Sequence, residues 1–160
     1  METEVQRRRV PVDSVEFTVP WVRGKGRPRF TRSGRVYTDG KTERAQDEIA
    51  WRFRRVLEAC DREDGSPAFG SDPVAVSISA YCPLPKSRPK RVESEDYTVK
   101  PDADNVAKLV LDALNGVAWE DDTQVVSLTV RKLPRTRLVD GERMDVRVSR
   151  MRSGRKEGKR

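Results

Sequence analysis

Residues 104–114, DNVAKLVLDAL, constrain the fold of this chain more than any other segment. Advancing about 100° per residue from Asp104 gathers Val106, Leu109, Val110, Ala113 and Leu114 on one side of a helix. Asn105, Lys108 and Asp112 fall beside Asp104 on the other. The apolar side must be laid on a core, and Asn115-Gly116 supplies a stop, since both residues tolerate a left-handed backbone. Around this helix lie segments of strand period: VEFTV from Val15 to Val19, closed by Pro20; VAVSISAY from Val74 to Tyr81; Thr123 to Lys132, where Val126, Leu128 and Val130 alternate; and a stretch near Met144 to Ser149. A second helical period begins near Thr42, its expected N-cap, and carries Ala45, Ile49, Phe53, Val56 and Leu57 toward the DREDGSP turn that starts at Asp61. Interleaved strands and two helices predict a small mixed α/β (α+β) domain, with a mixed sheet of about four strands.

With 160 residues the chain holds one such domain, expected over 15–150 between a polar leader at 1–14 and a basic flexible tail at 151–160. A formal net charge of +7 favours a polyanionic partner, because lysines and arginines displace the counterions condensed on phosphate backbones. Nucleic acid leads; no basic amphipathic helix offers a membrane surface an apolar face, and no apolar run is long enough to span a bilayer. Two cysteines, Cys60 and Cys82, with no CxxC pair, fit a reduced cytoplasmic setting. The chain has no histidine, which removes Ser-His-Asp and Cys-His arrangements and histidine-bound zinc. It also lacks a phosphate-binding GxxxxGK[ST] loop and a GxGxxG fingerprint. Hydrolytic chemistry would therefore lean on carboxylates, lysine and hard metal ions.

The acids are concentrated in one place. Asp102 and Asp104 stand at the entrance of the amphipathic helix, and either could cap its first turn. Two aspartates followed by Asn105 exceed what a cap requires, and the turn at Asn115-Gly116 can return Glu120, Asp121 and Asp122 toward them. The alternative is a capped, solvated surface helix with an acidic turn. Together the clusters suit Mg2+, with Mn2+ able to substitute, both of which favour carboxylate oxygens and water. Lys108, four residues after Asp104, forms an ordinary exposed helix pair or stands as a cation beside a phosphate. Asp112 reads as solvated or structural.

Two basic segments flank this region. Lys25, Arg27, Arg29, Arg32 and Arg35 are interleaved with Phe30 and Tyr37 in a glycine-rich loop or loose hairpin, giving cations for phosphates and rings able to stack or wedge. Lys86, Arg88, Lys90 and Arg91 lie in a charged, aperiodic stretch from Pro85 to Lys100, expected to be a long mobile loop. They could clamp a duplex arm or serve only in electrostatic capture.

KPDADNVAKLVLDALNGVAWEDDTQVV resembles the signature region of the RusA-type Holliday-junction resolvases, approximately PDxDNxxKxxxDAL(N)G, a short gap, then DD(S/A/T)QV. GKGRPRFTRSGRVYT is similar to that family's amino-terminal motif, and the likeness covers roughly residues 15 to 150. Ala103 and Val106 stand where larger apolar residues are common in the family, a change in packing and not in ligands. The resemblance implies that Asp102, Asp104 and Asp122 are Mg2+-binding catalytic carboxylates, with Lys108 as the cation at the scissile phosphate. It leaves open how Asp121 and Asp122 share the work. It further implies a homodimer that nicks two opposed strands of a four-way DNA junction, in the bacterial cytoplasm or nucleoid and often of phage or prophage origin. A less selective branched-DNA nuclease with the same site, or a noncatalytic junction-binding protein, are the alternatives.

Overall fold

The computed structural model describes residues 12–59, 65–152 and 154. In chain order the elements are β1 (Ser14–Val19), β2 (Arg29–Phe30), β3 (Val36–Tyr37), α1 (Gly40–Glu58), β4 (Val74–Tyr81), β5 (Ser94–Glu95), α2 (Ala103–Leu114), a 3-10 turn (Asp122–Gln124), β6 (Val125–Lys132), β7 (Arg135–Thr136) and β8 (Arg143–Arg150). The four alternating segments build one mixed sheet in the order β1-β8-β4-β6, antiparallel except for the β4–β6 pair. Its register aligns one apolar row after another: Phe17 opposite Val146, Val146 opposite Ile78, Ile78 opposite Val130. Because side chains alternate across a strand, these rows share one face, and both helices belong to the same core. The other face carries exposed Thr18, Ser77 and Arg147.

Helix α2 is the crossover between the parallel strands β4 and β6. Val106, Leu109, Val110 and Leu114 are fully buried beneath it, as its period requires. Truncating one of them, Leu109 for example, would destabilise the domain by about 2 to 5 kcal/mol. Helix α2 ends where expected, but the work is divided: Asn115 stays extended at φ −61° and Gly116 takes the left-handed position at φ +75°. On β6 the alternation is present, yet Val126 is 61% exposed and Leu128 44%, because β6 is an edge strand.

Two expectations change. The N-cap of α1 is Asp39, two residues before Lys41 and three before Thr42, and its carboxylate accepts from both of their backbone N–H groups at 2.6 and 3.1 Å. Thr42 is buried and its hydroxyl is used elsewhere. The stretch from Pro85 to Lys100 is not a loose loop: β5 pairs with β7, Tyr97 is buried, and Arg137 donates to the carbonyls of Arg88, Pro89 and Val92. Lys132 adds a 2.5 Å bond to the carbonyl of Val99 and lies over the Tyr97 ring. Donors from 30 to 50 residues downstream thus satisfy backbone groups that a solvated loop would leave to water. Most of the expected leader, Cys60 and nearly all of the expected tail beyond Arg152 lie outside the described residues. Among the described residues no helix is long and apolar enough to cross a membrane.

Candidate active site

Between β1 and β2 the chain threads Gly24-Lys25-Gly26 past the beginnings of both helices. The Lys25 N–H donates to the carbonyl of Asn105 at 2.8 Å, and the Gly26 N–H donates to the Thr42 hydroxyl at 3.2 Å. Neither glycine can carry a side chain without displacement: a Cβ on Gly24 would lie 2.8 Å from Cβ of Asn105, and one on Gly26 2.9 Å from Oγ1 of Thr42. The two glycines therefore permit close backbone approach. Their docking leaves an open cleft of about 520 Å3, lined by Arg23, Lys25, Arg27, Lys41 and Lys100, and by Asp39, Asp102 and Asn105. Five cations around two carboxylates make a site suited to phosphate.

The two cleft carboxylates sit at equivalent positions. Asp39 and Asp102 are the N-caps of α1 and α2, with φ, ψ of −69°, 144° and −70°, 145°. Asp39 caps its helix, and its bonds to Thr42 and Lys41 hold its carboxyl below the usual carboxylate range. Asp102 makes no side-chain cap bond and is exposed. Asp104, one turn-position inside α2, reaches Lys108 at 3.3 Å with both side chains mostly exposed. Asp112 is taken by Lys25 at 2.5 Å, which ties the glycine-flanked segment to α2 and gives Asp112 the structural role expected of it.

Asp121 and Asp122 separate in the same manner. Asp121 caps the 3-10 turn: its carboxylate accepts from the Thr123 N–H at 2.8 Å, and that bond holds its carboxyl low. Asp122 receives the indole N–H of Trp119 at 2.8 Å on one oxygen, Oδ1. Trp119 is fully buried, so it fixes the carboxylate from below. Gln124 locks the turn with all of its amide: Oε1 accepts from Glu120 and Asp121, and Nε2 donates to the carbonyls of Gly70 and Asp72 at 2.7 and 2.8 Å. The roles of Trp119 and Gln124 were not singled out by spacing; only their place beside adjacent acids could have pointed to them. The structure does not draw Asp102, Asp104 and Asp122 into one cage, and among the described residues no three acids or cysteines converge to hold a metal ion. Mg2+ needs no such cage, since it keeps several waters and takes one or two carboxylates together with substrate phosphate oxygens. Asp102, whose side chain makes no hydrogen bond or ion pair among the described residues, and Asp122, with one oxygen held, fit that donor set.

The two basic segments diverge. β2 and β3 form an exposed hairpin carrying Arg29, Phe30, Arg32 and Arg35, with Arg27 at its root in the cleft. In the other segment Arg88 is engaged by Glu95 at 2.7 Å, which is also bonded by Arg135. Arg88 therefore serves the anchor of the 85–100 segment, while Lys86, Lys90 and Arg91 remain exposed.

Comparison with known proteins identifies the family. Residues 20–148 match the model of the family described as endodeoxyribonuclease RusA. The chain is also similar to the uncharacterized protein YqaN of Bacillus subtilis (strain 168), with 32% identity over 131 residues, 76% of this chain and 88% of that protein. The match spans the glycine-flanked segment, both helices and three of the four strands of the main sheet, β4, β6 and β8 short of its last two residues, with β1 just before it, and the chain belongs to the RusA endodeoxyribonuclease family.

Proposed function

We propose that this protein resolves Holliday junctions as a Mg2+-dependent homodimer, placing paired symmetric nicks in opposed strands. The observation that carries the reading is the free carboxylate of Asp102 at a helix entrance, inside a cleft whose other charged lining is chiefly cationic. A structural cap would be bonded as Asp39 is.

In this reading Asp102, Asp104 and Asp122 are the carboxylates that would hold the metal, one or two of them directly and the rest through its waters, and Asp121 keeps the turn that presents Asp122. Bound Mg2+ supplies charge neutralisation and an acidified water to a phosphodiester. The chain's own residues do the rest. Arg27, Lys41 and Lys100 hold the phosphates that enter the cleft, and the helix N-terminus behind Asp102 favours anionic oxygen. Lys108, released from an exposed pair with Asp104 that is worth little, offsets the charge that builds on phosphorus as the water oxygen bonds to it and the phosphorus–oxygen bond to the leaving sugar breaks. With no histidine in the chain, the proton of the attacking water passes to a carboxylate or to solvent. One active site per subunit makes a dimer the economical way to cut two strands.

The test uses labelled four-way junction, linear duplex and flap, each with Mg2+ or EDTA, beside Asp104→Asn. Paired nicks confined to the junction are expected, with cleavage by Asp104→Asn nearly abolished and junction binding kept or tightened. Equal cutting of duplex would replace this reading with a less selective nuclease. Binding without metal-dependent cutting would replace it with a noncatalytic junction binder.

A further inference from the structure

The β2–β3 hairpin carries a feature that cleavage chemistry does not use. It is a built turn: the Thr31 N–H donates to the Arg35 carbonyl at 2.9 Å, the Gly34 N–H to the Thr31 carbonyl at 2.9 Å, and the Arg35 N–H to the Thr31 hydroxyl at 3.0 Å. Gly34 supplies the left-handed residue at φ +78°. Its register sets Phe30 opposite Val36 and Arg29 opposite Tyr37. Paired residues share a face, so one face of the hairpin is apolar and the other joins a cation to a ring. Phe30 is 71% exposed and Val36 57%, an apolar pair at the tip of the most cationic part of the chain. Among the described residues Arg27, Arg32 and Arg35 form no ion pair, and Arg29 acts on the Asp39 carboxyl only through its charge, so the arm keeps a cationic surface for an outside partner.

Both legs of the hairpin are fixed at the cleft. Arg27 lines it on one side and Lys41 on the other, with the Asp39 cap and the Gly26–Thr42 bond gripping the base. A rigid, basic arm ending in an apolar pair has the chemistry of a wedge for base pairs. The arginines favour a phosphate-lined surface, and an exposed phenyl ring gains only where bases are already unstacked or easily parted.

Resting on the reading of the cleft as a junction nuclease, we propose that the Phe30–Val36 face is a wedge that enters between base pairs at the branch point. The Arg29–Tyr37 face then lies along the strand that leads to the cleft. Phe30 lies three residues beyond Arg27 along an extended stretch, a reach of about 10 Å. With about 3.4 Å per base step, the nick falls within about three steps of the opened pair.

The experiment places 2-aminopurine at the crossover of a four-way junction and measures its fluorescence at saturating protein in EDTA, where cutting is blocked. The wild type brightens the probe severalfold; Phe30→Ala, bound to the same saturation, loses at least half of that rise, and Phe30→Trp restores it. Arg32→Ala weakens binding but its bound complex keeps the full rise. Phe30 is exposed, so its removal leaves the fold intact, which thermal melts verify. Equal brightening by Phe30→Ala and wild type overturns the wedge. So does a Phe30→Ala protein that dissociates in sedimentation while its bound complex still brightens, since the face would then belong to a second copy of the chain. Junction cutting without brightening sinks the wedge and leaves the resolvase reading; brightening without cutting in Mg2+ does the reverse.

Discussion

Asp39 and Asp102 occupy the same position on their helices, with backbone angles that agree to about one degree, yet only Asp39 uses its carboxylate to cap. The difference does not come from the local backbone. At Asp39 two N–H donors take one oxygen; at Asp102 the first turn of α2 is left without a side-chain acceptor, although a cap is ordinarily worth about 1 kcal/mol. The adjacent pair Asp121 and Asp122 repeats the contrast, with one acid closing a turn and its neighbour held by a tryptophan. At each of these two places one acid bonds the backbone of its own turn and a second acid does not. A residue whose stabilising bond is absent is where a functional demand is to be sought.

The largest expected effect breaks this contrast most directly. Asp102→Asn should lower cleavage of a four-way junction by about three orders of magnitude, as loss of a metal-binding carboxylate does, while leaving the melting temperature within a degree or so of wild type. Asp39→Ala should do the opposite to stability, lowering the melting temperature by about 3 °C through loss of the cap. Melting curves and single-turnover cleavage on both proteins give the comparison. If Asp102→Asn melts as early as Asp39→Ala, its carboxylate is structural and the contrast collapses.

How far these roles could be read from the chain depends on the range of the contacts involved. The two faces of α2 are legible because eleven consecutive residues carry their own period, and the buried set is the one the period selects. The N-cap of α1 is not, because Asp39 and Thr42 are both good capping residues. What decides between them is Gly26, which claims the Thr42 hydroxyl from 16 residues upstream. The 85–100 segment fails for the same reason. Its charge and prolines read as a loop, and the arginines and lysine that anchor it lie far along the chain. At the site itself the acids are visible as types and spacings. Which of them are already bonded depends on Trp119 and Gln124, whose own side-chain partners spacing does not reveal.

Trp119 offers the intermediate test. Among the described residues its indole N–H is the one hydrogen-bond donor on Asp122, and Phe keeps the ring's bulk without the donor. Trp119→Phe should lower the cleavage rate by about 10- to 100-fold, the usual penalty for losing a group that orients a metal ligand. Added Mg2+ should recover part of it, since the carboxylate is present but less well aimed. Mg2+ titrations of the rate, with junction Kd measured in EDTA, separate this from a general packing defect. A lowered rate that no concentration of Mg2+ improves, together with a raised Kd, would assign Trp119 to the core alone.

The smallest effect concerns the acids that do cap. Asp39 and Asp121 both have carboxyls held below the ordinary value of 3.8, each chiefly by a backbone N–H bond, from Thr42 and Thr123 respectively. A depressed folded-state value means that the stabilisation is fully present above the unfolded pKa and is lost as pH falls through the folded one. Thermal melts should therefore decline from about pH 4 downward, and Asp39→Asn and Asp121→Asn should each make that acid limb shallower while changing the melting temperature little near pH 7, because Asn also accepts a cap bond. Asp121 is exposed and Asp39 only half-buried in the cleft, so the change in slope is small and needs closely spaced buffers at constant ionic strength. An acid limb left unchanged by both substitutions would mean that neither carboxylate is tied to the fold through its charge. The division between capping and free acids around the cleft would then rest on hydrogen-bond geometry without an electrostatic counterpart.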